Sequence, residues 1–192
     1  VEIIGLDLKD EVVRDCQRIS EKLGCRGLRF EVGDIAGYSA GGPVDMSVSL
    51  HACDTATDAA IAQAVRWRVK VILAVPCCQH ELFNLLSDET LPGLLRHGIL
   101  KERFAALATD ALRAALLEAV GYRTQVVEFI DLEHTPKNLL LRAIRTDRPI
   151  ADALDRYTAL KSQLGLKAFT LEQLLQAEHD LGLAVSDPSV PA

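Results

Sequence analysis

Short apolar runs alternate with stretches of helical period along this chain, and that alternation predicts its elements. Residues 1–6 are apolar and β-prone, a buried strand ending at Asp7-Leu8-Lys9-Asp10. Over 11–23, Val12, Val13, Cys16, Ile19 and Leu23 recur at helical spacing, with Asp10 placed to cap the helix and Gly24 to end it. Residues 28–32 alternate like a strand and stop at Gly33-Asp34-Ile35, and the Gly, Ser and Pro content of 37–43 marks a loop. The run 45–50 predicts another buried strand. Its character then changes within a few residues, placing His51, Cys53, Asp54, Thr55 and Thr57 together, with Thr55 or Thr57 as cap for a helix over 59–66. A strand over 69–75 follows and ends in Pro76-Cys77-Cys78-Gln79-His80-Glu81.

Residues 81–86 predict a short helix, 87–98 an excursion over the sheet, and 100–120 a long helix terminated by Gly121. Strands are expected at 122–130 and 138–144. The link between them, 131–137, is too short for a crossover helix, so they form an antiparallel hairpin. Helices are expected at 150–164 and, behind a Thr170 cap, at 171–181; the proline-containing tail 186–192 is expected to be mobile. The fold class is α/β: one mixed, mostly parallel sheet with helices on both faces, closed by a C-terminal antiparallel hairpin. Domain organisation follows as 1–147 for the sheet domain, 148–185 for a helical extension and 186–192 for the tail.

If the strands at 45–50 and 69–75 are parallel neighbours, the clusters that end them share one carboxyl edge. Open α/β sheets bind their ligands at that edge, which makes it the candidate active site. Composition narrows the ligand. The chain has 192 residues, enough for a full core, and a formal charge of −6, which argues against a basic face gripping nucleic acid without regard to sequence. No apolar run approaches the ~20 residues of a membrane span and no signal peptide is read, so no membrane partner is expected. Five cysteines without disulfide-framework spacing point to reduced thiols in a cytoplasmic compartment. Oligomeric state leaves no signature in the sequence. The chain opens without Met, directly on a strand, which is what a fragment of a longer protein would do.

Each candidate residue has two readings. Asp7 and Asp34 end strands about one βαβ unit apart, where a carboxylate can accept hydrogen bonds from ribose hydroxyls or an adenine amino group; the alternative is a turn or helix-capping acid. His51 and Asp54 suit proton transfer, and His51 equally suits a hydrogen-bonded structural role. Cys53, Cys77, Cys78 and His80 have zinc-ligand chemistry, yet no C-x2-C pair is present and adjacent cysteines fit one ion poorly, so no metal site is assigned. Cys77 and Cys78 also read as small buried apolar residues. In His134-Thr135-Pro136-Lys137-Asn138, Lys137 and Asn138 can reach a substrate, or the segment is a tight turn.

Gly5-Leu6-Asp7, Gly33-Asp34-Ile35, the stretch Leu50-His51-Ala52-Cys53-Asp54-Thr55-Ala56-Thr57-Asp58, Pro76-Cys77-Cys78-Gln79-His80-Glu81 and the His134 to Asn138 segment together resemble a class I S-adenosylmethionine-dependent methyltransferase. The LHACDTATD and PCCQHE pair is similar to a bacterial family related to the methyltransferase domain of the glutathione S-transferase C-terminal-domain-containing protein. The resemblance implies a Rossmann-like class I methyltransferase sheet over 1–147, with S-adenosyl-L-methionine as cofactor. Its cofactor-binding set would be Asp7, Leu8, Asp34, Ile35, Leu50 and His51: Asp7 on the ribose, Asp34 and Ile35 on the adenine, Leu50 and His51 along the methionine moiety. His51 and Asp54 would be catalytic, and Cys77, Cys78, His80, Lys137 and Asn138 would face an RNA or protein acceptor. These methyltransferases carry a first strand and glycine-rich loop ahead of the strand matched by 1–6, and both are expected to be missing here. A zinc- or thiol-based binding module and a non-catalytic scaffold are the competing functions.

Overall fold

The first apolar run folds as strand β1 (Ile3–Asp7) and the alternating run as β2 (Leu28–Val32). They pair in parallel as a two-stranded sheet, with Asp7 opposite Val32. Helix α1 (Asp10–Lys22) connects them and is tied to β2 by polar bonds. Ser20 Oγ donates to the Leu28 carbonyl at 3.3 Å, and the Phe30 amide donates to Gln17 Oε1 at 3.2 Å. Gly24, at φ +66°, takes the left-handed turn that ends the helix without a Cβ penalty. Asp10 does not cap α1. It lies inside the first turn, paired with Arg14 at 2.8 Å, while Lys9 holds the cap position. Asp7 Oδ1 already accepts the Lys9 amide at 2.8 Å, so the turn is closed before the helix begins. A short 3-10 helix (Ile35–Gly37) follows β2.

These elements make one unit, Val1–Gly42, and the remainder makes a second, Pro43–Ala192. The computed structural model describes every residue except His51, Asp88, 131–137, Glu178, Asp180 and 182–192. The second unit runs β3 (Met46–Leu50), α2 (Thr55–Arg66), β4 (Val71–Val75), α3 (His80–Leu85), α4 (Pro92–Leu95), α5 (Gly98–Ala119), β5 (Tyr122–Glu128), β6 (Leu139–Arg145), α6 (Ala153–Gln163) and α7 (Thr170–Gln176). Its sheet has the order β3-β4-β6-β5. β3 and β4 are parallel, as the two apolar runs predicted, and β6 is antiparallel to both β4 and β5. Gly121 turns α5 into β5 at φ +94°.

Three further expectations change. One mixed sheet was expected, whereas the strands of the described residues form two sheets, one in each unit. β3 was expected to be buried, but Met46, Val48 and Leu50 are exposed at 51, 54 and 62%. In a strand alternate residues share a face, and here the serines Ser47 and Ser49 take the half-buried one. The predicted threonine caps also fail. Asp54 precedes α2, and Thr57, inside the helix, donates its hydroxyl to the Ala52 carbonyl. Thr170 lies behind Phe169 as the first residue of α7, and its hydroxyl donates to Glu81 Oε1 at 2.6 Å. In both cases a partner outside the helix end takes the hydroxyl.

The core lies in the second unit, where Ile61 of α2, Ile72 of β4, Leu112 and Leu116 of α5 and Leu141 of β6 are almost fully buried. Tyr157, Phe169, Leu171 and Leu175, from the helical segment beyond 147, belong to the same core. Burying a side chain of this size stabilises by about 1.5–3 kcal/mol. The Tyr157 hydroxyl donates to Glu172, whose carboxylate also holds Lys161 Nζ at 2.7 Å. Burial, with the Glu172 carboxylate beside it, pushes the Tyr157 phenol upward.

Candidate functional site

In the first unit the two strand-end acids lie at the same carboxyl edge of β1 and β2. Asp7 Oδ1 accepts the Lys9 amide, and Asp34 Oδ1 accepts the Ala36 amide at 3.0 Å. Both are Asx-type turns, in which a short carboxylate satisfies the backbone two residues on. The turn role and the ligand role are therefore compatible, because a carboxylate has about four acceptor positions and each turn uses one. The turn also fixes each carboxylate at its strand end. Leu8 and Ile35 sit beside them, Leu8 exposed.

In the second unit the ends of β3 and β4 are bound to each other. The Asp54 amide donates to the Cys78 carbonyl at 3.1 Å, and Asp54 Oδ1 accepts the Glu81 amide at 3.0 Å. Arg113 of α5 supports this bridge from behind, its Nη2 donating to the Asp54 carbonyl at 3.0 Å. Asp54 is thereby held at φ 53° and ψ −124°, a conformation that costs a non-glycine residue of order 1–3 kcal/mol. The surrounding bonds over-determine it. His51, the other predicted catalytic residue, lies outside the described residues, as does Lys137.

Arg113 is the group the sequence reading missed. It is fully buried and makes a two-bond pair with Asp58, Nε to Oδ1 at 2.8 Å and Nη2 to Oδ2 at 2.9 Å. Its Nη1 donates to Asp110 Oδ1 at 3.1 Å. Two carboxylates thus share one guanidinium, whose planar fork suits the arrangement. Burial pushes the Asp58 carboxyl upward against the pull of Arg113, and pushes Asp110 to about 6. The available signal was two charges spaced i,i+3, Asp110 and Arg113, within the otherwise apolar run of α5. Glu81 closes a second link. Its Oε1 accepts both the amide and the hydroxyl of Thr170, at 2.8 and 2.6 Å, and burial raises its carboxyl.

The bridge brings three thiols together. The Sγ atoms of Cys53, Cys77 and Cys78 lie within 4.8 Å of one another, with Cys53 and Cys77 at 3.3 Å. Burial first, then the neighbouring thiols, pushes Cys77 up to about 12. His80, at the start of α3, is exposed. Asn138 is buried, and its side-chain amide donates to the Ile130 carbonyl at 2.9 Å. Leu50 is exposed at the end of β3.

Fold and site together define an α/β protein whose polar clusters gather at strand ends. Residues 1–84 match the model of a family described as a methyltransferase domain. That match spans β1 through β4 and covers Asp7, Asp34, Asp54 and the three clustered thiols. Among solved structures, the PH0226 protein from Pyrococcus horikoshii OT3 is similar at 12% identity, covering 76% of this chain and 71% of that one with a TM-score of 0.40. That likeness is too slight to carry an argument. No curated protein matches the chain. Among the described residues no helix is long and apolar enough to cross a membrane.

Proposed function

We propose that this chain is an S-adenosylmethionine-dependent methyltransferase, acting on an RNA or protein acceptor. The observation that carries the reading is the methyltransferase-domain match over residues 1–84, which takes in both strand-end acids and the bridged ends of β3 and β4. The cofactor fits the donors and acceptors present. Asp7 and Asp34 each keep acceptor capacity at one sheet edge, matching ribose hydroxyls and an adenine amino group. Leu8 and Ile35 would lie against the adenosine, and Leu50 and His51 along the methionine moiety.

When bound, the cofactor supplies an electrophilic methyl group on a sulfonium. The chain's task is then alignment, which can supply much of the rate of a displacement. The strained, over-determined backbone at Asp54 supports that role, because it fixes the end of β3 relative to the end of β4. His51 and Asp54 would accept a proton from the acceptor where the nucleophile carries one. Cys77, Cys78, His80 and Lys137 would face the acceptor. Asn138 would stand with them on the acceptor side.

Calorimetric titration of S-adenosylhomocysteine into the full-length protein tests the reading. Micromolar binding, weakened at least tenfold by Asp7→Ala and by Asp34→Ala, is expected. No heat up to millimolar ligand, with the protein folded by circular dichroism, would overturn it.

A further inference from the structure

Three soft donor atoms stand in one place in a chain whose five cysteines form no disulfide. Adjacent residues in a strand point to opposite faces, so Cys77 and Cys78 would diverge if β4 continued through them. It does not. β4 ends at Val75, and the irregular segment before α3 turns both sulfurs toward Cys53. Cys53 arrives from the end of the neighbouring strand, whose Leu50 is paired with Val75.

The two loops are locked before any ligand arrives. The bonds from Asp54 to the Cys78 carbonyl and the Glu81 amide hold them together, and Arg113 anchors Asp54 to α5. Such bonds orient the donors without competing for them, as outer-shell contacts do at metal centres.

From this geometry we infer that Cys53, Cys77 and Cys78 form a three-thiolate site for a soft d10 metal ion, Zn²⁺ or Cu⁺. Thiolate donors select these ions over hard cations. With metal–sulfur bonds of about 2.3 Å, sulfurs of a tetrahedral or trigonal site stand about 3.8–4.0 Å apart. The observed separations, 3.3 Å for Cys53 to Cys77 and none above 4.8 Å, bracket that spacing, so small side-chain rotations suffice. Binding breaks the S–H bonds, forms metal–sulfur bonds and releases the protons to solvent. With three protein ligands a zinc ion keeps one open position, whereas trigonal Cu⁺ is complete. The site does not depend on the methyltransferase reading and is tested with cations alone.

Cd²⁺ titrated into the reduced protein reports thiolate coordination through its ultraviolet charge-transfer absorption. Saturation at one ion per chain is expected. Losing one outer-shell contact typically costs metal sites 10–100-fold in affinity, so Cys53→Ser, Cys77→Ser or Cys78→Ser should each weaken binding by at least about a hundredfold. The Cys16→Ser/Cys25→Ser double variant should bind like the parent. Displacement of Cd²⁺ by Zn²⁺ or by Cu⁺ identifies the ion.

A second measurement covers the chance that a serine variant misfolds. In the unmodified protein, metal should protect Cys53, Cys77 and Cys78 from alkylation while Cys16 and Cys25 remain reactive. Absence of a one-to-one absorption band, or equal protection of all five cysteines, would overturn the site.

Discussion

The two units end their strands in opposite ways. In Val1–Gly42, the carboxylates of Asp7 and Asp34 accept amides two residues further along. In Pro43–Ala192, Asp54 bonds across to the loop after β4 and is reached by Arg113 from 59 residues away in sequence. The first arrangement fixes a carboxylate and leaves most of its acceptor capacity for a ligand. The second spends its polar groups on one another and makes a rigid frame. The acids of the first unit should therefore matter to binding and little to stability, and those of the second should matter to stability first.

The sharpest break of this contrast is Arg113→Met, which leaves Asp58 buried without its partner. Removing one member of a buried pair costs about 3–5 kcal/mol, so the midpoint of urea unfolding should fall steeply. A loss under about 1 kcal/mol would mean that the pair does not hold the frame. Asp58→Asn should lose less than Arg113→Met, because Asp110 still faces the guanidinium.

Asp110 gives the next largest effect, and it depends on pH. Its carboxyl titrates near 6 in the folded protein and near 3.8 when unperturbed. The native state therefore holds this proton more tightly than the unfolded chain does. The group's stabilising contribution is complete below about pH 4 and is lost as pH rises through about 6. Asp110→Asn removes the titration, so its stability relative to the parent should improve by about 2–3 kcal/mol between pH 4 and 7. A pH-independent difference between the two proteins would place the Asp110 titration elsewhere.

Thr170→Val is a smaller test of the same frame. It deletes the hydroxyl on Glu81 but keeps the Thr170 amide there, so a loss of about 1 kcal/mol is expected in urea unfolding. No loss would mean that solvent replaces the hydroxyl fully and that the link between α3 and α7 is not part of the frame.

What was legible in the sequence divides by the range of the interaction. Strand and helix order followed from local periodicity, and the parallel pairing of β3 with β4 followed from two apolar runs joined by a helix. The antiparallel pairing of β5 with β6 followed from the length of their link. Partners that lie far apart in sequence were not legible. Thr57 and Thr170 have good capping side chains, but carbonyl and carboxylate acceptors outside their helix ends take the hydroxyls. Arg113 looked like an ordinary helix residue, because nothing local shows that Asp58 faces it from α2. Apolar content alone made β3 look buried; its serines, on the half-buried face, decide otherwise. Cys77 and Cys78 were set aside as ligands to one ion on sequence adjacency, yet the irregular backbone after Val75 brings their sulfurs together.

The smallest expected change in stability comes from Asp7→Asn, and it is the most informative about function. Asparagine keeps a side-chain oxygen to accept the Lys9 amide, so the turn survives and unfolding should shift by no more than about 0.5 kcal/mol. Its nitrogen, however, donates where the carboxylate accepted, so a pair of ligand hydroxyls loses at least one acceptor. Under the proposed function, S-adenosylhomocysteine affinity should fall at least tenfold with the unfolding curve unchanged. If affinity and stability both hold, Asp7 is a turn residue alone, and the difference between the two units is one of packing. If affinity falls and stability holds, the first unit's acids are kept for a ligand rather than for the fold.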